Sequence, residues 1–381
     1  MSADGRPAGA LVVSLDFELH WGVHDALPIA TYRENLLGVR DAVPALLALF
    51  AEHGVHATWA VVGMLFFRDR RELLAGLPSR RPAYADQRLS AYSILDQVGL
   101  DERNDPLHFA PSLIERIAAA PGQEIGTHTF SHYYCLEDGQ TAADFRADLD
   151  AAIAVAGARL GRRPRSIVFP RNQIAPQHLA VCAEEGFVAY RGNPDHWGYR
   201  ARAGRRERLV RRAFRLADAY LPLTRTRAAG ARAAPPVDVS GSRYLRPHAP
   251  ALRHLEPLRL RRIARELRRA ARRGETYHLW WHPHDFGHAL AANLRFLAAV
   301  LAVFDDCRDR WGMQSLTMEE AASRELARRQ DAERNATSSG NDASGARAPS
   351  GTGVTSTNDR AATPLRASAA TSASRPVSEA G

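Results

Sequence analysis

The sequence predicts an α/β fold: a parallel sheet with helical crossovers, either open or closed into a barrel. Short apolar runs of strand length alternate along the chain with longer helical stretches, the order that a parallel sheet requires. The runs at 11–15, 166–169 and 276–281 break off into ionisable residues, as strands do where they meet active-site loops. With 381 residues, 45% of them hydrophobic, the chain has enough apolar material to bury such a sheet in one large domain or two.

The first strand is the apolar run 11–15, followed by a helix over about 35–53 and a second strand within 57–65. A polar, irregular insertion at 68–108 interrupts the alternation. It resumes with a strand at 124–127, a helix at 141–160, a strand at 166–169, a helix at 176–185 and a strand at 187–190. The stretch 200–273 reads as an arginine-rich helical insertion, broken in its middle by Ala234, Pro235 and Pro236. A strand at 276–281 and a helix at 289–310 complete the pattern, and the domain is expected to span 11–325. Residues 1–10 and the Ser-, Thr-, Ala- and Gly-rich tail 335–381 are expected to be disordered, the tail because it holds almost no large apolar residue to bury.

The net charge of +9 invites a nucleic-acid reading, but its location speaks against one. Between Arg200 and Glu275 there are 22 arginines against six acidic residues, an excess larger than that of the whole chain, so the remainder is net acidic. No basic and aromatic platform and no nucleic-acid motif accompanies it, and no nucleic acid is expected. Cys135, Cys182 and Cys307 are widely spaced, odd in number and imply no disulfide framework. Residues 1–10 show no basic region followed by an apolar run of signal length, so a cytoplasmic protein is expected. Residues 205–221 form an amphipathic pattern, with Leu209, Val210, Ala213, Leu216, Ala217 and Tyr220 along one stripe and arginines opposite. Such a helix either covers the barrel or makes a peripheral contact with the inner face of a membrane.

Four constellations carry chemistry. Asp16 and Glu18 end the first strand and, two residues apart, point to one side, a credible metal or proton-transfer pair. His128 and His132 follow the strand at 124–127, and a spacing of four brings both imidazoles to one face if the segment takes a helical turn. Imidazole with carboxylate is a usual zinc ligand set with an open position. Trp280, Trp281, His282, Pro283, His284 and Asp285 close the last strong strand, where tryptophan can wall an imidazole and pack on a sugar ring. Arg171 and Asn172 end another strand, where the arginine could hold a neighbouring carboxylate ionised. Each has a plainer reading, as a wet strand end, polar surface, an aromatic core or a surface ion pair. All four, however, fall at strand C-termini of one α/β domain, the face where such folds gather their active sites.

These residues resemble the polysaccharide deacetylase family, also called carbohydrate esterase family four. The run 57–63 (ATWAVVG) resembles its second strand, the run 124–132 (EIGTHTFSH) its metal-binding motif, and a late hydrophobic strand ends in His282. The resemblance covers 11–320 apart from the arginine-rich stretch. It implies a distorted or incomplete parallel (β/α) barrel of about seven strands, and a hydrolase acting on carbon–nitrogen bonds other than peptide bonds. By the same resemblance Asp16 is the general base, Glu18, His128 and His132 hold a divalent metal, His282 is the general acid and Arg171 orients Asp16. The metal is expected to be zinc, with cobalt, nickel or iron as alternatives. Trp281, His284, Asn172 and Trp197 are expected to line the substrate, with Asp195 and Trp197 the candidates for the fourth motif.

Here the second acid is a glutamate two positions on, where the family commonly has adjacent aspartates, and Pro170 precedes Arg171 in the third motif. The expected reaction is N-deacetylation of a sugar in bacterial surface-polysaccharide or glycolipid synthesis, on an N-acylated sugar or glycan, either free or lipid-linked. An amidase acting on formylated or cyclic amides would use the same residues, and a sugar-binding module would keep the fold without the chemistry.

Overall fold

The computed structural model describes residues 7–204, 209–224 and 234–342, with side chains to 335. The chain opens with β1 (Ala10–Phe17), buried along its length. Helices α1 (Ile29–Leu37) and α2 (Val39–His53) lead to β2 (Ala57–Val61), where one helix had been expected. The segment that follows holds α3 (Arg70–Ala75) and short 3-10 turns before α4 (Pro111–Ala119) and β3 (Gln123–Thr127). Next come α5 (Ala142–Leu160), β4 (Ser166–Ile167), α6 (Pro176–Glu184), β5 (Ala189–Tyr190) and α7 (Leu209–Tyr220). The remaining elements are β6 (Val237–Asp238), β7 (Arg243–Tyr244), α8 (Glu256–Arg273), β8 (Thr276–Trp281), α9 (Pro283–Gly287), α10 (Leu290–Trp311), β9 (Gln314–Leu316) and α11 (Met318–Asp342). Helix ends follow local chemistry: Thr141 and Asp144 cap α5 reciprocally, and Gly161 ends it in the left-handed conformation.

The nine strands are parallel and run in the order β6, β5, β4, β3, β2, β1, β8, β7, with β9 beside the start of β1. β6 and β7 lie at opposite edges of that order, yet only four residues, 239–242, join them, so the sheet has to curl until its edges meet. The joining backbone bridges both sides. Val239 N–H donates to Tyr190 O at 2.9 Å, Gly241 N–H to Gly192 O at 3.0 Å and Ser242 N–H to His278 O at 2.8 Å. The result is the distorted (β/α) barrel that the resemblance implied. The 200–273 stretch is not an insertion into it: β6, β7 and α8 are parts of the barrel, missed because two-residue strands carry no periodicity.

Alternation along the strands sorts the chemistry from the packing. Leu11, Val13, Leu15 and Phe17 of β1 face the helices in one core with Trp59, Phe50, Leu279 and Trp281. Ser14 and Asp16 face the barrel interior, where they meet His278 and Arg191 from across the sheet. The N-terminal end of the barrel is plugged by Val12, Ala60, Val168 and Val237, packed with Met318, Ala321 and Ala322 of α11. Thr58 and Glu124 accept the first backbone N–H groups of that helix, at 2.8 and 3.2 Å from Met318 and Glu319.

The termini depart from expectation where they are described. Ala8 and Ala10 are buried, and α11 runs to Asp342, past residue 335 where the tail was expected to lose structure. The rest of that tail, together with residues 1–6 and 205–208, lies outside the described residues.

Arginine enters the barrel wall as a structural residue. Asp218 of α7, fully buried, accepts from Arg262 at 2.9 Å and Arg243 at 3.2 Å, and Glu266 takes the other side of Arg243 at 2.8 Å. Removing one member leaves buried charge without compensation. Asp218→Ala is therefore expected to cost about 3 kcal/mol, read as a lowered urea midpoint with an unchanged denaturant slope.

Candidate metal centre

The loop after β3 aims two imidazoles at one point, though not by a helical turn. Thr129 and His132 both adopt left-handed backbone, φ 65° and 57°, which turns the chain back on itself and brings the rings to 5.0 Å. Buried Asp148 pins this shape by accepting from the backbone N–H of Phe130 at 2.7 Å and of Ser131 at 3.1 Å, and from the Ser131 hydroxyl. Thr129 Oγ1 accepts from Tyr133 N–H at 2.7 Å. His128 Nδ1 is 2.8 Å from Val168 O, so that nitrogen carries the proton and Nε2 keeps its lone pair free.

Glu18 meets the imidazoles from the end of β1. Its Oε2 lies 3.2 Å from His128 Nε2 and 3.0 Å from His132 Nε2, all three side chains being buried. Its approach depends on Gly22, where a Cβ would stand 2.1 Å from the Glu18 carboxyl carbon. Two imidazoles and a carboxylate, clustered on one point, are the donor set of a divalent metal with an open coordination side. Glu18, His282 and His284 make a second cluster of the same kind. Its His282 is held protonated, as described next, which suits it less to a metal.

Asp16 sits beside this point in a buried ion pair. Arg191 grips it with two parallel hydrogen bonds, 2.6 Å to Oδ1 and 2.7 Å to Oδ2. The guanidinium is fixed in turn by Ser14 at 3.1 Å, by Asn172 Oδ1 at 3.0 Å and by the face of Trp280 at 4.1 Å. Burial alone would raise the Asp16 pKa, but Arg191 outweighs it and holds the carboxyl below the usual range. Arginine 171, expected to orient Asp16, does something else. It pairs with Asp25 and lies over the Tyr134 ring at 4.2 Å, while the Tyr134 hydroxyl bridges Asp25 at 3.3 Å and His132 Nδ1 at 3.2 Å. Arg171 thus supports His132 through Asp25 and Tyr134. Arg191 was legible by the rule that singled out Arg171, since it directly follows the strand expected at 187–190 as Arg171 follows the one expected at 166–169.

His282 completes the cluster from the end of β8. Its Nε2 is 3.7 Å from both Asp16 Oδ2 and Glu18 Oε1, and its Nδ1 is 3.1 Å from Asp285 Oδ2. Burial opposes charge on this ring, yet Glu18, Asp285 and Asp16 together overcome it and push the pKa up to about 10. In the same setting burial drives His132 down to about 4, and His284 also falls, through burial and the adjacent His282 charge. Glu18 is held well below the carboxylate range, since the charge of His282 outweighs its burial.

Among the residues expected to line the substrate, Asn172 and His284 do reach the cluster. His284 stacks on His282, centroids 4.8 Å apart. Trp281 does not: alternation turns it outward into the core against Phe286 at 5.5 Å, and its neighbour Trp280 is the tryptophan that faces inward, beside Tyr244 at 4.8 Å. Trp197 stands half exposed against Phe214, and Asp195 is exposed in a pair with Arg200.

Residues 31–190 match the family model described as polysaccharide deacetylase. The match takes in His128, His132 and Arg171 and bears out the resemblance read from the sequence. No curated protein matches the chain. Among solved structures, a protein of Pseudomonas aeruginosa assigned as a polysaccharide deacetylase is 14% identical with a TM-score of 0.50, covering 82% of this chain and 89% of its own. One so assigned from Mycobacterium smegmatis is 16% identical with a TM-score of 0.49, over 85% of this chain and 92% of that one. A family 4 carbohydrate esterase of Streptomyces lividans, solved with acetate, is 11% identical with a TM-score of 0.36, over 78% and 90%. At such identities the P. aeruginosa likeness speaks for the fold alone.

The two arginines are separable by experiment. Arg191→Gln is expected to destabilise the protein by about 3–5 kcal/mol and to move the Asp16 carboxyl upward, whereas Arg171→Gln leaves Asp16 unmoved. Carboxyl-carbon NMR titration of the metal-free variants, beside their denaturation curves, reads both effects.

Proposed function

We propose that the chain, which matches the polysaccharide deacetylase family model over residues 31–190, is a carbohydrate deacetylase that hydrolyses the N-acyl bond of an amino sugar in a surface polysaccharide or glycolipid, using a divalent metal held by Glu18, His128 and His132. The observation that carries this reading is the convergence on one buried point of three metal-type donors, a fixed carboxylate and a protonated imidazole. The donor set suits zinc, and cobalt, nickel or ferrous iron take the same ligands. A metal in that triad supplies a hydrolytic water near neutral pH and polarises the acyl carbonyl.

The protein's own groups divide the proton traffic. Asp16, kept ionised by Arg191, is placed to take a proton from the attacking water. His282, charged and backed by Asp285, gives its proton to the amine nitrogen as the carbon–nitrogen bond breaks, so that a carboxylate and an amino sugar depart. His284 is the poorer donor, being buried and shifted toward the neutral form. Trp280 and Tyr244 offer an aromatic wall of the kind that packs on a sugar ring, with the Tyr244 hydroxyl tied to Asp285 at 2.7 Å.

Release of acetate and formate from a panel of N-acyl sugars, nucleotide sugars and small cyclic amides tests the proposal. Acetate release from an N-acetyl sugar is expected, abolished by chelation and by His128→Ala, and lowered about 10²–10⁴-fold in kcat by His282→Ala. Unchanged rates in both the chelated and the His128→Ala protein would remove the metal from the reading. Turnover of cyclic amides alone would replace the sugar by a small amide.

A pH signature follows from the same geometry. His282 has a folded-state pKa raised from 6.5 to about 10, so the stabilisation it gives is complete below the unfolded value and fades as pH climbs through the folded one. In metal-free protein its ring resonances are expected to titrate near pH 10, and Asp285→Asn to move that midpoint down, with histidine NMR as the measurement.

A further inference from the structure

Helix α7 is docked by its charges and displays its apolar side. Asp218 is fully buried in the arginine network above, and the buried Arg211 donates to the carbonyl oxygen of Trp197 at 2.7 Å and to that of Arg200. On the opposite side Leu209 is 78% exposed, Val210 70% and Leu216 39%. Residues 209, 213 and 216 recur at helical spacing and so share one outward stripe, bordered by exposed Arg212. Leu221 and Leu223 beyond the helix end are half exposed as well, and half-exposed Trp197 packs against Phe214 of the helix.

Arginine accompanies this stripe among the described residues: Arg212 of α7 is exposed, and so are Arg200 and Arg202 in the segment whose Arg200 carbonyl accepts from Arg211. An outward apolar stripe with tryptophan beside it and arginine around it matches the chemistry of an interface between anionic headgroups and acyl chains. A nucleic-acid surface would need no leucines. The segment leading into α7 also runs along the mouth of the site. Asn193 donates to Asn172 O at 2.8 Å, Gln173 donates to Arg202 O at 3.1 Å and Gly204 N–H donates to Glu137 at 2.9 Å. Asn172 in turn accepts from Arg191, which grips Asp16.

We propose that the outward face of α7 docks the protein on an anionic bilayer, setting the mouth of the site toward an N-acyl glycan carried on lipid; the nature of the delivered substrate rests on the deacetylase reading, while the docking does not. Docking combines burial of Leu209, Val210 and Leu216 with attraction of the arginines to headgroups, so it needs anionic lipid and weakens with salt.

The test is co-sedimentation of the full chain with vesicles of phosphatidylcholine, with and without phosphatidylglycerol. Binding to the anionic vesicles is expected, reduced at least tenfold by the paired exchange Leu209→Glu with Leu216→Glu and by high salt. Hydrolysis of a short soluble N-acyl sugar by that variant is expected to match the parent, which shows that the exchanged protein folds. Absence of vesicle binding, or equal binding by the variant, overturns the proposal. So does a parent dimer that the exchange dissolves in light scattering, since a second copy would then occupy the face. If no N-acyl sugar is turned over but anionic vesicles still bind, the docking stands and the substrate assignment falls; circular dichroism then replaces turnover as the check of folding.

Discussion

The buried pair of Asp16 and Arg191 is the constraint on which the rest of the site depends. An ionised carboxylate at the centre of a barrel is expensive unless a cation meets it with good geometry and has its own remaining donors satisfied. Here the two groups meet bidentately, and Ser14, Asn172 and the Trp280 face take up the other sides of the guanidinium. Because Arg191 follows β5 and Asp16 ends β1, the pair also ties together strands that the sheet order sets four places apart. Closure of the barrel and ionisation of its central acid are thereby one arrangement.

Around that pair, charge is distributed so that neighbouring groups of the same type differ. Of the four histidines at the site, His282 is drawn into the charged form by three carboxylates, whereas His132 and His284 are kept neutral chiefly by burial. His128 is oriented by a carbonyl oxygen that fixes which nitrogen faces the centre. Groups with pKa values pushed apart over a few ångströms are the arrangement that lets one pocket supply lone pairs and a proton together.

Much of this was legible in the sequence. Eight-residue β1, with apolar residues at odd positions and Ser14 and Asp16 between them, announces both its core face and its chemical face. Long α5 and α10 are likewise plain from their apolar spacing. The imidazole pair was legible as a pair, but its left-handed turn was not, because β-branched Thr129 disfavours that conformation and histidine takes it only in a minority of cases. Strands β6 and β7 have two residues each, too short for any period, and the barrel part of the 200–273 stretch vanished with them. The exchange of roles between Arg171 and Arg191, and between Trp281 and Trp280, has a common cause. Which way a side chain points at a strand end is set by register with neighbours distant in the chain.

The loop that carries the imidazoles does not stand alone. Tyr84, from the irregular stretch between α3 and α4, accepts the backbone N–H of Tyr134 at 2.8 Å and packs against the rings of Tyr133 and Tyr134. Ala85 N–H likewise donates to Asp138 O at 2.9 Å. That stretch differs from the regular barrel and is the natural place for substrate preference to change, yet it forms one wall with the residue that steadies His132. Grafting it from a relative to alter selectivity would therefore also shift the support of His132, one of the three donors proposed to hold a metal. In this scaffold, retuning that wall and keeping the imidazole in place are not independent engineering problems.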